Sequence, residues 1–196
     1  KYEGGKTIGV FLGKQIAYAI RDSKFFEGID LIMPVPLHPK KEKIRGYNQS
    51  KYIVKGINKI LKGDIEYIEL GNLNAKRDWF HSKDAVKAMY LMLQRDSPED
   101  YVIGSGECHS VKEFVEEAFK IVNIDIKWRG EGLNEVGYNK ETGKVLIKVN
   151  PKYYRPAEVD ILMSDPRKAI RELGWERQYN FAELVKEMVK FDCNLN

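Results

Sequence analysis

Three neighbouring charged residues, Lys76, Arg77 and Asp78, have types that could bind an anion or hold a loop in place. They follow a strand-like run at residues 65–70 and precede a stretch with the apolar spacing of a helix. Helix N-terminal N–H groups and a nearby guanidinium both favour negative charge, so α/β proteins commonly bind anions and nucleotides at this position. An internal Arg77–Asp78 pair that fixes the loop is the alternative, and the residues alone leave both interpretations open.

The elements that must position these charges can be predicted from local patterns. The apolar spacing predicts a helix from about Ser50 to Leu61. Ser110 and Glu113 have the spacing of a capping box, which predicts a helix that begins after Ser110. The helix after Asp78 is expected to bury one apolar face, formed by Val86, Met89, Tyr90 and Met92.

Composition indicates a globular chain with an uneven distribution of charge. Of its 196 residues, 43% are apolar and 32% are charged, which is ordinary for a folded domain. Residues 1–62 carry 13 Lys and Arg against 5 Asp and Glu, whereas the whole chain has a net charge of only +4. The basic segment could bind phosphate or nucleic acid, or it could be a solvated surface.

The sequence contains no apolar run near the ~20 residues that a membrane-spanning helix needs, and no signal-peptide pattern. Its two cysteines, Cys108 and Cys193, have no CxxC spacing and no histidine at metal-ligand spacing. We therefore expect reduced thiols, no metal site and a cytoplasmic location.

One resemblance covers residues 1 to about 55. Residues 30–50, DLIMPVPLHPKKEKIRGYNQS, resemble the signature of the ComF-like phosphoribosyltransferases. The resemblance implies an α/β fragment of that fold, with Lys40, Lys41 and Arg45 near a pyrophosphate. The acidic pair and Thr-Thr-Gly turn that bind the ribose phosphate in that family do not follow in this sequence, so this fragment is not expected to be a working transferase.

A second resemblance covers residues 56–196. The runs GNLNAKRDW, PEDYVIGSGECHSVKEFVE and YYRPAEVD occur in the order found in the C-terminal part of the GDP-mannose 4,6-dehydratase family. That family belongs to the extended short-chain dehydrogenases/reductases, and it converts GDP-mannose to GDP-4-keto-6-deoxymannose on the route to GDP-fucose. The resemblance implies an α/β fold: a partial Rossmann-type, substrate-binding C-terminal half, joined to the phosphoribosyltransferase-like fragment within about residues 50–58.

By this resemblance, Arg77 and Arg155 would clamp the GDP diphosphate, with Glu158 on the nucleotide or ribose side. Asn72 and Lys76 are further candidates because of their position at the strand end. Two guanidiniums from different elements suit a diphosphate, since each can donate two hydrogen bonds to its oxygens. An internal Arg155–Glu158 ion pair is the alternative.

One substitution and two absences bear on activity. Phe80 stands where the family usually has glycine, so the loop after Arg77 is expected to be disturbed. A GxxGxxG turn for NADP is missing, because Gly104-Ser105-Gly106 lacks a third glycine. The catalytic Tyr-x-x-x-Lys pair is missing too, since Tyr47 and Lys51 have that spacing only inside the other family's signature.

These features predict a chain with no catalytic residues and no bound cofactor, although NADP serves the intact family. Its expected ligand is GDP-mannose or GDP, with no membrane partner, nucleic acid unfavoured, and a homo-oligomer as one option. A phosphate-binding role of the basic segment and a fusion without function are the alternatives.

Overall fold

Helix α1, Gln49–Lys62, opens the part of the chain described by this computed structural model, residues 49–195. It confirms the helix predicted from about Ser50 to Leu61. The phosphoribosyltransferase-like fragment, with Lys40, Lys41 and Arg45, lies almost entirely outside the described residues. None of the helices between residues 49 and 195 is long and apolar enough to cross a lipid bilayer.

The other elements between residues 63 and 195 are short strands and helices. The strands are β1 Ile68–Leu70, β2 Lys76–Arg77, β3 His109–Ser110, β4 Ile126–Arg129, β5 Val136–Asn139, β6 Val145–Val149 and β7 Ile161–Leu162. The helices are α2 Ser82–Leu93, α3 Val111–Ile121, α4 Arg167–Leu173 and α5 Phe181–Cys193, with a 3₁₀ turn at Gly132–Asn134.

The strands form two small sheets. One has four strands in the order β1-β6-β5-β4, in which β1 runs parallel to β6 and the other pairs are antiparallel. The other has three strands in the order β3-β2-β7, with β2 parallel to β7 and antiparallel to β3. Strands β1 and β2 are separated by only five residues, so the ends of the two sheets lie close together along the chain near Gly71 to Arg77.

The main core forms where helices α1, α3 and α5 pack together with the four-stranded sheet. Its fully buried members include Ile57, Ile68, Phe114, Ile147 and Val185. Residues far apart in the chain meet here, so the described residues 49–195 belong to one compact unit. This core fixes the end of β1, where the charged residues of interest begin.

Helix α3 begins as the sequence predicts. The Ser110 hydroxyl accepts from the Glu113 N–H at 3.0 Å, and the Glu113 carboxylate accepts from the Ser110 N–H at 2.7 Å. This reciprocal pair satisfies two of the free N–H groups at the helix start. The predicted capping box is therefore confirmed.

A second, smaller core lies between helices α2 and α4. It buries Ala88, Ala169, Leu173 and Trp175. Phe80 packs against this core, with its ring 5.8 Å from that of Trp175 in an edge-on arrangement. Phe80 is not among the described non-glycine residues with positive φ, so its own backbone conformation does not require a glycine. The disturbed loop expected after Arg77 stays a prediction.

The predicted buried face of helix α2 is also wrong. Val86, Met89 and Tyr90 are exposed, and Met92 is only partly buried. The helix instead turns Ala88 toward Trp175, whose indole N–H donates to the Asp84 carbonyl at 3.0 Å. Helix α2 thus has apolar residues on a covered face and on an open one.

Candidate functional site

Arg77 on strand β2 is held by acceptors from two segments. Its Nη1 donates to the carbonyls of Lys76, at 2.7 Å, and Val159, at 2.8 Å. Its Nη2 donates to Oε1 of Glu158 at 2.7 Å, and a quarter of its side chain remains exposed. These bonds fix the guanidinium close to the start of strand β7, because Val159 and Glu158 lie two and three residues before Ile161.

Glu158 lies between two guanidiniums. Its Oε1 accepts from Arg77, and its Oε2 is 3.7 Å from Nη1 of Arg155. Glu158 is largely buried, with 19% of its side chain exposed, whereas 67% of the Arg155 side chain is exposed. The Arg155–Glu158 ion pair foreseen as an alternative is thus present, and the carboxylate bridges the two arginines.

Asn72 fixes the backbone of Arg155. Its Nδ2 donates to the Arg155 carbonyl, and its Oδ1 accepts from the Arg155 N–H, both at 2.8 Å. Asn72 was predicted as a ligand contact because of its position at the strand end. In the structure both polar groups of its side-chain amide are hydrogen-bonded to the Arg155 backbone instead. Its effect on the site is to hold Arg155 beside the end of β1.

Gly71 allows the Arg155 loop to approach strand β1. A side-chain carbon at residue 71 would overlap the backbone carbonyl oxygen of Tyr153, so only glycine fits without a shift. The Asn150 N–H also donates to the Leu70 carbonyl at 2.8 Å, which extends the contact from β6 into the loop. The sequence predicts a Gly-Asn turn directly after the strand-like run, but it does not reveal the contact of Gly71 with Tyr153.

Lys76 is a further exposed cation on strand β2. It is exposed, and its ammonium has no ion-pair or hydrogen-bond partner among the residues that the structure describes. Its backbone N–H donates to the Asp160 carbonyl at 2.7 Å, which ties it to the segment that carries Glu158. The structure therefore brings together four of the five predicted ligand residues, Asn72, Arg77, Arg155 and Glu158, whereas Lys76 joins this group through its backbone only.

Asp78 does not pair with Arg77, so that expected role is wrong. Its carboxylate instead accepts from the backbone N–H and hydroxyl groups of both Ser105 and Ser164, and from the Gly106 N–H. Burial by itself would raise the pKa of Asp78, but these hydrogen bonds outweigh it and lower the pKa below the ordinary aspartate value. Asp78 therefore connects its own loop with the loops that carry Ser105 and Ser164. The carboxylate that pairs with Arg77 is that of Glu158.

The same contacts test the fit of a dinucleotide cofactor at Gly104-Ser105-Gly106. The N–H groups of Ser105 and Gly106 already donate to Asp78, at 2.8 and 3.2 Å. A side-chain carbon at Gly104 would overlap Ser164, so the glycine serves close packing between loops. These residues do not form a cradle for NADP, and among the described residues no cluster of acidic, histidine or cysteine side chains could hold a metal ion.

The cluster is thus a cationic surface with one internal anion. Two cations, Arg77 and Arg155, flank the single carboxylate of Glu158, and Lys76 is on the same strand as Arg77. Arg155 and Lys76 present most of their donors to solvent. Such a group can bind a compact dianion, because forked guanidinium donors and an ammonium complement phosphate oxygens.

Comparison with solved structures identifies the class of fold. The described fold is similar to RMD from Pseudomonas aeruginosa complexed with NADPH, with a TM-score of 0.60 and 14% identity over 75% of this chain and 43% of that chain. It is also similar to dTDP-glucose 4,6-dehydratase from Bacillus anthracis in complex with NAD, with a TM-score of 0.54 and 19% identity over 74% of this chain and 39% of that chain. The fold is that of the Rossmann-type extended short-chain dehydrogenases/reductases.

Sequence comparison then gives the family. The family model for GDP-mannose 4,6 dehydratase matches residues 35–188. The chain is 52% identical to the Drosophila melanogaster GDP-mannose 4,6 dehydratase over 77% of its own length, and 53% identical to the human one over the same share. This chain belongs to the GDP-mannose 4,6-dehydratase family.

The chain matches only part of the length of each relative. The chain spans 38% of the Drosophila relative and 41% of the human one. The family match begins at residue 35, ahead of the junction predicted at residues 50–58. The division of the chain into two fragments of different origin stays a prediction.

Proposed function

We propose that this chain is the nucleotide-sugar-binding part of a GDP-mannose 4,6-dehydratase, and that it binds GDP-mannose or GDP. The observation that carries the proposal is the Glu158 carboxylate held between Arg77 and Arg155, at 2.7 and 3.7 Å. The carboxylate occupies a position between two guanidiniums that a phosphate group could take. Family membership supplies the substrate: the curated relatives are GDP-mannose 4,6 dehydratases.

The two arginines have different parts in this proposal. Arg155 is the first contact, because its guanidinium is mostly exposed and its backbone is fixed by Asn72. Arg77 is held by two carbonyls and already points at the bridging position, so it needs little rearrangement. A diphosphate carries about two negative charges, and it therefore competes effectively with the single charge of Glu158 for these donors.

Glu158 would then take a second role. Once the diphosphate pairs with the arginines, the Glu158 carboxylate keeps its backbone position beside β7 and has free lone pairs. A carboxylate accepts hydrogen bonds from the two hydroxyls of a ribose. This assignment agrees with the role that the family resemblance implies for Glu158.

The chemical step is not assigned to this chain. Among residues 49–195 the glycine segment nearest to a cofactor-binding motif is occupied by Asp78. NADP, which serves the intact family in hydride transfer, does not fit there, so we expect binding without turnover. A cytoplasmic location and assembly into homo-oligomers are parts of the proposal that rest on the cysteine pattern and the family resemblance.

Isothermal titration calorimetry on the purified 196-residue chain tests this proposal. We expect GDP and GDP-mannose to bind in the micromolar to millimolar range and NADP to give no signal. Arg155→Ala should abolish GDP binding, while Arg129→Ala, a control at the exposed outer strand β4, should leave it unchanged.

Two outcomes of this titration would count against the proposal. One is equal loss of binding in both arginine variants. The other is binding that survives Arg155→Ala and falls steeply with salt, which would favour non-specific phosphate binding by the basic segment.

A further inference from the structure

Helix α5 has a charged face on the side that points away from the core. Its other side packs into the main core through Val185 and Val189, which are fully buried. The outer side carries two carboxylates and two ammonium groups that are all exposed: Glu183, Lys186, Glu187 and Lys190. Because successive members are one, three or four residues apart, all four lie on the same side of the helix.

The two lysines of this face are uncommitted. Within residues 49–195, the ammonium groups of Lys186 and Lys190 have no hydrogen-bond or ion-pair partner. Glu183 accepts from a backbone N–H at the helix start at 2.8 Å, and Glu187 accepts from Nζ of Lys83 at 3.0 Å. An ionised carboxylate has about four acceptor positions, so both glutamates can accept further donors. The face therefore offers two free cations and two anions with spare capacity.

The order of the charges is self-complementary. The sign reverses about the midpoint between Lys186 and Glu187, and Glu183 and Lys190 lie equally far from that midpoint on opposite sides. A second copy of the helix, laid antiparallel, would put its Lys190 beside Glu183 of the first and its Glu187 beside Lys186. Each pair occurs twice, as in a two-fold contact that uses the same patch on both copies.

Aromatic side chains lie at the two ends of the charged face. Phe191 is 81% exposed at the C-terminal end of α5, and Tyr179 lies just before its N-terminal end. Both rings line an open cavity of about 490 Å³ together with the four charged residues. With a rise of about 1.5 Å per residue, antiparallel pairing places Phe191 of one copy within about one helical turn of Tyr179 of the other. The apolar ends therefore meet in the same arrangement that pairs the charges.

We propose that this surface, the α5 face, binds a second copy of this chain as an antiparallel pair of helices. A nucleic acid suits it less, because Glu183 and Glu187 would repel the phosphates that the lysines attract. A partner helix of one charge sign would satisfy only half of the face, whereas a second copy supplies both signs at matching positions. The inference specifies a surface for the homo-oligomer in the proposed function.

The contact is small, so the expected association is weak. Helix α5 has 13 residues and is therefore about 20 Å long, and a single helix pair lies at the low end of specific interface sizes. We expect a monomer–dimer equilibrium with a Kd of about 10 μM to 1 mM. The Kd should rise with salt, because salt screens exposed ion pairs.

Sedimentation velocity of the 196-residue chain tests the proposal over concentrations of about 10 μM to 1 mM. Lys186→Glu with Lys190→Glu, the acidic variant, places like charges opposite each other in every pair of the antiparallel contact. It should weaken association by at least about 10-fold. Its Tm should change by no more than about 4 °C, because neither lysine has a partner within the described chain.

Lys55→Glu with Lys59→Glu is the matched control. These two lysines are exposed on helix α1, are also four residues apart, and give the same change in net charge. The control should associate as the parent chain does. Equal weakening in both double variants would show that net charge alone governs association, and it would overturn the proposal.

Mixing two variants gives an independent readout. Glu183→Lys places like charges opposite each other in two of the four pairs, so it should associate weakly by itself. Mixed with the acidic variant, it gives opposite signs in three of the four pairs. The mixture should therefore form dimers more tightly than either variant alone.

Three further outcomes would overturn the proposal. One is a folded parent chain that stays monomeric at about 1 mM, well above the range of concentrations at which a specific contact of this size forms. Another is a mixture that associates no better than its components. The third is a large loss of Tm in the acidic variant, which would show that the lysines act within the chain. Arg155→Ala should sediment as the parent does, so this proposal and that of GDP binding fail separately.

Discussion

Asn72 and Arg155 exchange two hydrogen bonds, each 2.8 Å long, across 83 positions of sequence. The bonds fix the Arg155 backbone at the end of strand β1, while two-thirds of the Arg155 side chain stays exposed. A fixed backbone reduces the ordering cost of binding, and a free guanidinium keeps its donors available. The site is therefore partly organised before an anion arrives.

Removing the Asn72 side chain should loosen this arrangement. Asn72→Ala is expected to cost about 1 kcal/mol of unfolding free energy, because water can reach the Arg155 backbone groups once the amide is gone. It should weaken GDP binding by about 5- to 10-fold through the added freedom of the loop. Calorimetry and urea unfolding measure the two effects.

Asn74→Ala is the matched control for this change. Asn74 is two residues away and exposed, and it has no hydrogen-bond partner among the described residues. It should match the parent chain in both measurements. Similar losses in the two variants would contradict the positioning role of Asn72.

Neutralising Glu158 should strengthen the binding of a bare diphosphate. Glu158→Gln removes a negative charge that lies within 4 Å of both guanidiniums, so inorganic pyrophosphate should bind several-fold more tightly. GDP should gain less, because the glutamine amide is a poorer ribose acceptor than a carboxylate. Weaker pyrophosphate binding in a folded variant would show that the carboxylate is needed to hold the arginines.

The Asp78 contacts predict a stability effect that depends on pH. The pKa of Asp78 is lowered in the folded state, so its contribution is complete above the ordinary value of about 3.9 and is lost as the pH falls through the folded value. Asp78→Asn should therefore cost about 2 kcal/mol at pH 7 and progressively less toward pH 3. Urea unfolding of both proteins at several pH values measures the difference, and a constant difference would contradict the assignment.

Gly71 should tolerate no side chain. Gly71→Ala places a carbon against the Tyr153 carbonyl, so the loop that carries Arg155 must shift or the strand end must strain. We expect a loss of about 1–3 kcal/mol in stability, together with weaker GDP binding. Thermal unfolding and calorimetry check this, and parent-like values in both would show that the loop moves aside without cost.

Local sequence patterns correctly predicted the secondary-structure elements that depend only on residues close together in the chain. The α1 helix follows from its apolar spacing, and the start of α3 follows from Ser110 and Glu113, which are three residues apart. The cation cluster at the end of β1 was also foreseeable from the order of strand, turn and helix. These features depend on neighbours in the sequence, so the sequence contains the information to find them.

The sequence alone could not predict which charged residues pair, because the pairs join segments that are far apart in the chain. Arg77 was expected to pair with Asp78 beside it, yet its partner is Glu158, 81 positions away, because strands β2 and β7 run in parallel. Asp78 is turned toward Ser105 and Ser164 on other loops. The burial prediction for α2 was wrong for a different reason. Apolar spacing defines a face of a helix, but it does not determine which face packs against other elements, and Val86, Met89 and Tyr90 are exposed.

The most direct test of the diphosphate site is to compare GDP with guanosine in calorimetric titrations of the unmodified chain. If Arg77 and Arg155 clamp the diphosphate, GDP should bind in the micromolar to millimolar range, and guanosine should bind at least about 100-fold more weakly, a difference of roughly 3 kcal/mol. Equal affinities, or no GDP binding by a folded and monodisperse sample, would contradict the account.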